Sequence, residues 1–496
     1  MLFAIIACVS TSALSVSSIM LPDDTWPSSS PTVTATTTAT ATAAIQRNKA
    51  YYATAIILNT NARSVTKEME PLAQSIFGRE HVFLTATPEE ARRAAKATLP
   101  YKLVIPVGGD GTLSSLVNEM CQELVSSSSP PLTMGDAMKQ LPLFGYIPMG
   151  TGNGVGSVVG CRLGRRKGLS IFFRSKKRHR LRQLKQVMEL LHEVGQTLVR
   201  SENNNTKTEA PVVDNYSIVN MPMIQIQSHY KDELLASSAA ATTASNNSSG
   251  ALCFFAGVGF DSLMLNDFKT LKAWSQRTGI LKRALGSVTG YCIALVTMTL
   301  PQCVLQNKHK IHVQLTTRCQ QGTLWIDHRR GDFAEAVGSG TSSCDINGGD
   351  TSGDKENTAT QATLLYQGPA GILAAGTSPF YGGGLRLFPF ARLYQDKMHL
   401  RLGRIHPIKG FLNIPKIFEG SYRDEDFGCL DFVGNDFDIE VRQDNEIQKK
   451  GGYPFQHSGE SAGHFERFRL RLENEPVRFV SFLPRRVINA DKTIIS

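Results

Sequence analysis

The stretch from Tyr101 to Met120, YKLVIPVGGDGTLSSLVNEM, constrains this chain more than any other. Its apolar run Leu103-Val104-Ile105-Pro106-Val107 predicts a buried strand, and Gly108-Gly109-Asp110-Gly111-Thr112 a tight turn. Leu113, Leu116, Val117 and Met120 then recur at helical spacing. Strand, glycine turn and helix in succession form a phosphate-binding arrangement. Glycines let the backbone approach an anion, and the first N–H groups of the helix face it. Asp110 stands out, because a carboxylate repels phosphate. It fits there if it holds a cation between the oxygens or accepts a proton from an attacking hydroxyl. The alternative is a surface turn in which Asp110 caps the helix.

A second stretch of the same kind follows. Leu143-Phe144-Gly145-Tyr146-Ile147-Pro148 is strand-like and runs into Met149-Gly150-Thr151-Gly152-Asn153-Gly154-Val155-Gly156. Two strands that each end in a glycine turn, about 40 residues apart, suit neighbours in a parallel sheet. Both turns then lie at the carboxyl edge, where α/β folds bind ligands. VGGDGT followed by IPMGTGN resembles the catalytic domain of the diacylglycerol kinase family, which includes bacterial lipid kinases, sphingosine kinases and ceramide kinases. Other segments are similar to the family's and come in its order, from about residue 52 to 482. Ile56 to Arg63 looks like the first strand with its Asn-containing loop. Phe255-Ala256-Gly257-Val258-Gly259-Phe260-Asp261 resembles a later strand. Tyr381-Gly382-Gly383-Gly384 with Pro389 and Ala391, and Gln456-His457-Ser458-Gly459-Glu460, match two further motifs.

At 496 residues the chain is long enough for two or three domains, and its 41% hydrophobic content suits a globular protein. The strand–helix alternation from residue 51 onward predicts a three-layer α/β domain with a parallel sheet over 51–210. Expected helices span 65–76, 88–98 and 186–200. From 211 to 496 many short strands predict a β-rich second domain, with 213–227 among the strands, helices over 267–285 and 290–300, and insertions near 236–250 and 331–360. The resemblance implies that this second domain is a β-sandwich and that the active cleft lies between the two.

Residues 1–50 read as a targeting or disordered segment outside the fold. A short apolar run is followed by a Ser/Thr/Ala-rich tract without acids. This suggests an organelle such as a plastid and a membrane-associated enzyme, with the cytoplasm as the alternative. The nine cysteines show no metal-type spacing and read as buried thiols in a reducing compartment. The net charge of +10 favours anionic partners. Residues 162–185 hold eleven lysines and arginines, no acid, and Ile171-Phe172-Phe173 among them. Such a cluster suits an anionic membrane surface; a solvated face and a nucleic-acid patch are the alternatives. No nucleic-acid motif accompanies it, so no nucleic-acid partner is expected.

The resemblance implies an ATP-dependent lipid kinase that transfers the γ-phosphate to a hydroxyl of diacylglycerol, a sphingoid base, ceramide or a relative, with Mg²⁺ bridging the phosphates. The phosphates would lie on Gly108, Gly109, Gly111 and Thr112, with Gly150, Thr151, Gly152 and Asn153 opposite and Asn59 in the first loop; Arg63 is a further phosphate candidate. Asp110 is the first candidate for the group that accepts the lipid proton or holds the metal, and Glu460 the second. Asp261 is the candidate for a lipid headgroup, with a strand-end turn aspartate as the alternative. Three positions depart from the family pattern. Gly154 and Ser458 stand where members often carry aspartate, and Asp396-Lys397 replaces a common Asp-Gly. Serine is no base at neutral pH without activation. The competing functions are an NAD kinase, which shares the GGDGT turn, and a non-catalytic lipid- or nucleotide-binding relative.

Overall fold

The computed structural model describes residues 53–62, 64–130, 132–150, 152–159, 173–203, 216–228, 250–278, 288–306, 310–318, 322–327, 332–335, 362–382, 384–422, 428–442 and 452–482. Several expectations fall outside these: the segment 1–50, Arg63, Thr151, Gly383, residues 162–172 of the basic run, and the insertions over 236–249 and 336–360. The chain forms two compact units. The first takes the chain through Asn220 and takes it up again at Val477; the second runs from Met221 to Pro476.

In the first unit, strand and helix alternate as expected: β1 (Thr54–Asn59), α1 (Met69–Phe77), β2 (Val82–Thr85), α2 (Pro88–Thr98), β3 (Leu103–Gly108) and α3 (Asp110–Ser127). Then come α4 (Met134–Lys139), β4 (Leu143–Phe144), β5 (Ile147–Pro148), α5 (Gly156–Val159), α6 (Phe173–Asn203) and β6 (Ser217–Met221). β1 pairs parallel with both β2 and β3, and β3 pairs parallel with β4 and β5. Every residue of β3 is buried, as a central parallel strand covered on both faces must be.

One face of the sheet packs Ile56, Leu58, Leu103, Ile105 and Val107 against α1 and α6. Leu184, Met188, Leu191 and Val194 present one apolar stripe of α6 at helical spacing. At Gly195 the helix touches the sheet so closely that a Cβ would sit 1.8 Å from Thr54 Oγ1. α2 starts in a capping box: Thr87 Oγ1 accepts from the Glu90 N–H and Glu90 answers to the Thr87 N–H.

The second unit begins with β7 (Ile224–Ser228), β8 (Ala251–Cys253), β9 (Phe255–Gly259) and α7 (Phe260–Thr278). These are followed by α8 (Val288–Ala294), a π-helical turn over Leu295–Thr299, and α9 (Leu300–Gln306). β10 (Ile311–Thr317), β11 (Leu324–Asp327), β12 (Asp332–Glu335), β13 (Thr363–Ala370), β14 (Ile372–Gly376) and β15 (Met398–Gly403) come next. The short helices α10 (Pro407–Leu412) and α11 (Ile414–Glu419) precede β16 (Cys429–Gly434), β17 (Asp436–Arg442), β18 (Tyr453–His457), β19 (Glu460–Phe465) and β20 (Arg467–Leu472). They make a six-stranded sheet in the order β13-β10-β17-β20-β7-β8 and an eight-stranded sheet in the order β12-β11-β16-β15-β14-β9-β18-β19.

Both sheets contribute to one core. Val313, Leu315, Ile439, Phe468 and Leu470 come from the first; Val258, Leu373, Leu400, Leu402 and Phe455 come from the second. This is the sandwich that the resemblance implied. On the other face of β15, Arg401 lies opposite Asp431 and binds it through Nε (2.7 Å) and Nη2 (3.0 Å), while His399 Nε2 lies 2.8 Å from the same carboxylate. The rings of Phe388 and Phe390 pack against His399 over this ionic group.

The expected domain boundary at 210/211 with a contiguous second domain is corrected. The last strand of the chain, Val477–Ser481, pairs parallel with β4, and so belongs to the first unit's sheet. Phe479 is fully buried there, with its ring 5.9 Å from that of Phe144. The expected strand over 213–227 is two strands in two sheets, because Pro222 lacks the N–H that would continue a ladder. The helix expected over 186–200 starts at Phe173, since the basic residues before it are good helix formers. The helix expected over 267–285 starts at Phe260, directly after β9. The insertion expected from 331 opens with β12, which pairs with β11 as a hairpin.

Phe479→Ala should destabilise the first unit by about 3–5 kcal/mol through the cavity left in its sheet. Urea unfolding followed by the first unit's loss of protease resistance checks this; an unchanged midpoint would mean that the last strand is not integral to the sheet.

Candidate active site

The carboxyl edge of the first unit's sheet brings together most of the residues singled out from sequence. α3 begins at Asp110, with Gly109 in the N-cap position. The N–H groups of the helix's first turn have no intrahelical acceptor, so they are available to an anion. Asn59, at the end of β1, donates from Nδ2 to Thr112 Oγ1 at 2.8 Å. Thr112 Oγ1 therefore accepts a bond and has its own proton left to donate. Asn59 Oδ1 accepts from the Asn61 N–H at 3.0 Å, which shapes the first loop.

The two glycine turns are packed backbone to backbone. The Gly108 carbonyl accepts from the N–H of Gly150 at 3.1 Å and from the N–H of Met149. A Cβ on Gly150 would lie 2.4 Å from Gly109 Cα, so only glycine permits this approach. Asn153, at φ +52°, closes the second loop on itself: Oδ1 accepts from the Gly150 N–H at 3.0 Å, and Nδ2 donates to the Gly150 carbonyl at 2.8 Å. Asn153, itself expected on the nucleotide side, has both ends of its amide engaged by its own loop. Gly152 lies in the same loop.

Asp110 is neither a surface cap nor an open ligand. It is 5% exposed, and its two oxygens are engaged. Oδ2 accepts from the Gly154 N–H at 2.6 Å; Oδ1 accepts from the Val155 N–H and the Tyr146 hydroxyl, each at 3.3 Å. Burial pushes the carboxyl up to about 6, against the opposite pull of these three donors. The Tyr146 hydroxyl is pushed up by burial and by the Asp110 charge.

The expectation that Asp110 holds Mg²⁺ meets this arrangement: every donor around the carboxylate already points at it. No cluster of three or more His, Cys, Asp or Glu side chains that could hold a metal occurs among the described residues. Asp110 ties the second glycine loop to the start of α3 through the Gly154 and Val155 amides. Gly154, a departure from the family pattern, supplies its backbone N–H to this tie.

In the second unit, Asp261 is the second residue of α7 and 5% exposed. The Tyr381 hydroxyl donates to its Oδ2, as does Gln456 Nε2 at 3.0 Å; the Ser262 hydroxyl is 3.4 Å from Oδ1. Gln456 Nε2 also contacts the Tyr381 hydroxyl. Gly257 lies between Ala374 of β14 and Gln456 of β18, and a Cβ there would come within 2.6 Å of Asp261 Oδ2. Burial raises the Asp261 carboxyl, with Tyr381 and Gln456 opposing.

Ser458 is buried at φ +47°; its N–H donates to the Phe255 carbonyl at 2.9 Å, and its Oγ accepts from the Phe254 N–H at 3.4 Å. Glu460 is exposed and ion-paired to Lys269 of α7 at 3.2 Å, so the structure does not bring its carboxylate to Asp261. Tyr146 was missed because nothing in a strand-like run marks a tyrosine as a carboxylate partner. Tyr381 and Gln456 were visible within motifs, but their shared partner lies more than 100 residues away in the chain.

A strand–turn–helix at the carboxyl edge of a parallel sheet is an arrangement that can hold an anion. Residues 55–196 match the family model described as the diacylglycerol kinase catalytic domain. No curated protein matches the chain. Among solved structures, it is similar to a diacylglycerol kinase from Bacillus anthracis str. Sterne at 10% identity and a TM-score of 0.43, covering 86% of this chain and 96% of that one. An NAD kinase from Archaeoglobus fulgidus in complex with ATP is similar at 10% identity and a TM-score of 0.33, covering 89% of this chain and 98% of that one.

The raised Asp110 carboxyl has a thermodynamic signature. The folded state holds this proton more tightly than the unfolded chain does. The penalty is thus absent below about pH 4, grows as pH rises to about 6, and stays near roughly 3 kcal/mol above it. Asparagine at this position does not titrate. The stability of the wild type relative to Asp110→Asn should therefore fall by about that amount between these pH values in denaturant titrations. A pH-independent difference would place Asp110 in a solvated site.

Proposed function

We propose that the protein is an ATP-dependent lipid kinase that transfers the γ-phosphate to a hydroxyl of a diacylglycerol, sphingoid base or ceramide. One observation carries the reading. Within a matched diacylglycerol kinase catalytic domain, the two glycine turns are locked together through Asp110, Gly108 and Gly150, with the first turn of α3 open to an anion.

Phosphoryl transfer depends on positioning and charge neutralisation more than on covalent chemistry. In this reading the amides at the start of α3 and the Thr112 hydroxyl hold the nucleotide phosphates, and Asn59 fixes the threonine rotamer. Asp110 is a positioning residue that sets the height of the second loop. Mg²⁺ arrives with the nucleotide as its counter-ion. Asp261, oriented by Tyr381 and Gln456, is the candidate contact for a lipid headgroup, and Glu460, exposed beside Lys269, the remaining candidate for proton transfer. The basic run 162–185, whose part from Arg174 to Lys185 lies on α6, supports attraction to an anionic membrane. No described helix is long and apolar enough to cross a membrane. The composition of residues 1–50 supports an organelle, a plastid among them, with the cytoplasm as the alternative.

Transfer of labelled γ-phosphate from ATP to a panel of diacylglycerol, ceramide, a sphingoid base and NAD tests this, with Gly150→Ala alongside. One lipid class should take the label. The variant should lose about 100-fold or more, because its new Cβ pushes the two turns apart. Label in NAD would replace the lipid reading. Nucleotide binding without transfer to any acceptor would make the chain a binding protein.

A further inference from the structure

One buried ionic group of the second unit has no part in the proposed phosphate chemistry. His399 and Asp431 are fully buried, and Arg401 nearly so. Arg401 grips the Asp431 carboxylate with two nitrogens. Burial pushes the His399 imidazole below its ordinary value, against the pull of Asp431. The neutral ring therefore donates from Nε2 to Asp431 Oδ1. A buried ion pair stabilises a fold no better than apolar residues of the same volume; what a two-point grip adds is a fixed direction. The sheet joins this group to Asp261. Gln456, Gly257, Ala374, Arg401 and Asp431 are successive register partners across β18, β9, β14, β15 and β16. Their neighbours Phe455, Val258, Leu373, Leu400 and Phe432 fill the sandwich core, so by alternation this row lies on the opposite face. Asp261 rests over Gly257, and the ion pair ends the row.

The segment after β14 links the two ends a second time. It leaves the sheet at Gly376, the register partner of His399, and a Cβ on Gly376 would collide with the Phe388 ring. The Phe388 N–H donates to the Pro379 carbonyl at 3.2 Å and closes the segment into a loop. Within that loop the Tyr381 N–H donates to the Leu385 carbonyl at 2.8 Å. The Phe388 ring stands edge-on to two others: its centroid is 5.8 Å from that of His399 and 5.8 Å from that of Tyr381. Asp431 thus aims His399, His399 and Gly376 seat Phe388, and Phe388 abuts Tyr381, whose hydroxyl donates to Asp261.

We propose that His399 is a positioning residue for the acceptor site: held by the Asp431–Arg401 pair, it seats Phe388 and so places the Tyr381 hydroxyl on Asp261. The part Asp261 plays toward the acceptor rests on the kinase reading. The line of contacts from His399 to Tyr381 does not.

The test is phosphate transfer from ATP to the lipid that takes label, by the full chain carrying His399→Gln, Tyr381→Phe or both. Glutamine still offers Asp431 an N–H but has no ring to seat Phe388. It should lower kcat/KM for the lipid about tenfold and leave the KM for ATP in place. Once Tyr381 has lost its hydroxyl, the same change should cost little more. Phe388→Leu breaks the line one step further on and should show the same split, which covers a glutamine variant that does not fold. Losses that multiply in the paired variant, or a KM for ATP that rises with that for the lipid, would reduce His399 to a structural role and overturn the proposal. Hydrogen–deuterium exchange without ligand gives an arm that needs no activity. Amides of 378–388 should exchange at least about tenfold faster in His399→Gln than in the wild type, and those of 103–120 at the same rate. Unchanged exchange over 378–388 would also overturn the proposal. A wild type that labels no lipid would remove the kinase reading, and the exchange result would still decide whether His399 places Tyr381.

Discussion

A carboxylate that is buried beside a phosphate cradle needs a reason to be there, and the donors around Asp110 supply it. An isolated buried charge is strongly disfavoured. Here the Gly154 and Val155 amides and the Tyr146 hydroxyl converge on it, so the charge is retained only while the second glycine loop keeps its shape. The same geometry brings Gly150 against Gly109 and joins its N–H to the Gly108 carbonyl. Geometry and electrostatics are thus coupled: moving the loop exposes or strands a charge, and neutralising the charge frees the loop. The turn that would hold phosphate is tied to the second loop by an anion of the protein's own behind it.

The second unit uses the same device in a different setting. Asp261 sits at the start of α7, where the helix's positive end favours a carboxylate, and three side-chain donors from α7, β18 and the segment after β14 surround it. Gly257 makes room for it. Both aspartates lie two residues beyond the glycine that ends a strand, and both are raised by burial against opposing hydrogen bonds. The Asp431 carboxylate held by Arg401 and His399 is a third buried one, but it faces aromatic rings on the side of its sheet away from the sandwich core.

The glycine turns and their place on a parallel sheet were legible because glycine and apolar periodicity are local signals. Residues 101–120 form the strand, turn and helix they spell, with Asp110 as the first helical residue. The β-rich second unit was legible through its resemblance and its many short strands. What the sequence concealed is long-range. The strand Val477–Ser481 looks like any other, and nothing local shows that it pairs with β4 in the first unit. The role of Asp110 was open between metal ligand, base and cap. Its partners are two backbone amides and a tyrosine about 40 residues on, groups whose placement no motif records. Glu460 matched a family position, yet its side chain faces solvent and Lys269, because which way a residue of a hairpin points depends on register.

Hydrogen–deuterium exchange of the amides at 108–112 and 150–155, with and without ATP, tests the central claim most directly. A phosphate site built from two mutually locked turns predicts that both segments gain protection together at the same nucleotide concentration. Protection of the first segment alone would contradict the lock. Protection of neither, with ATP bound, would place the nucleotide elsewhere and remove the basis for the kinase reading.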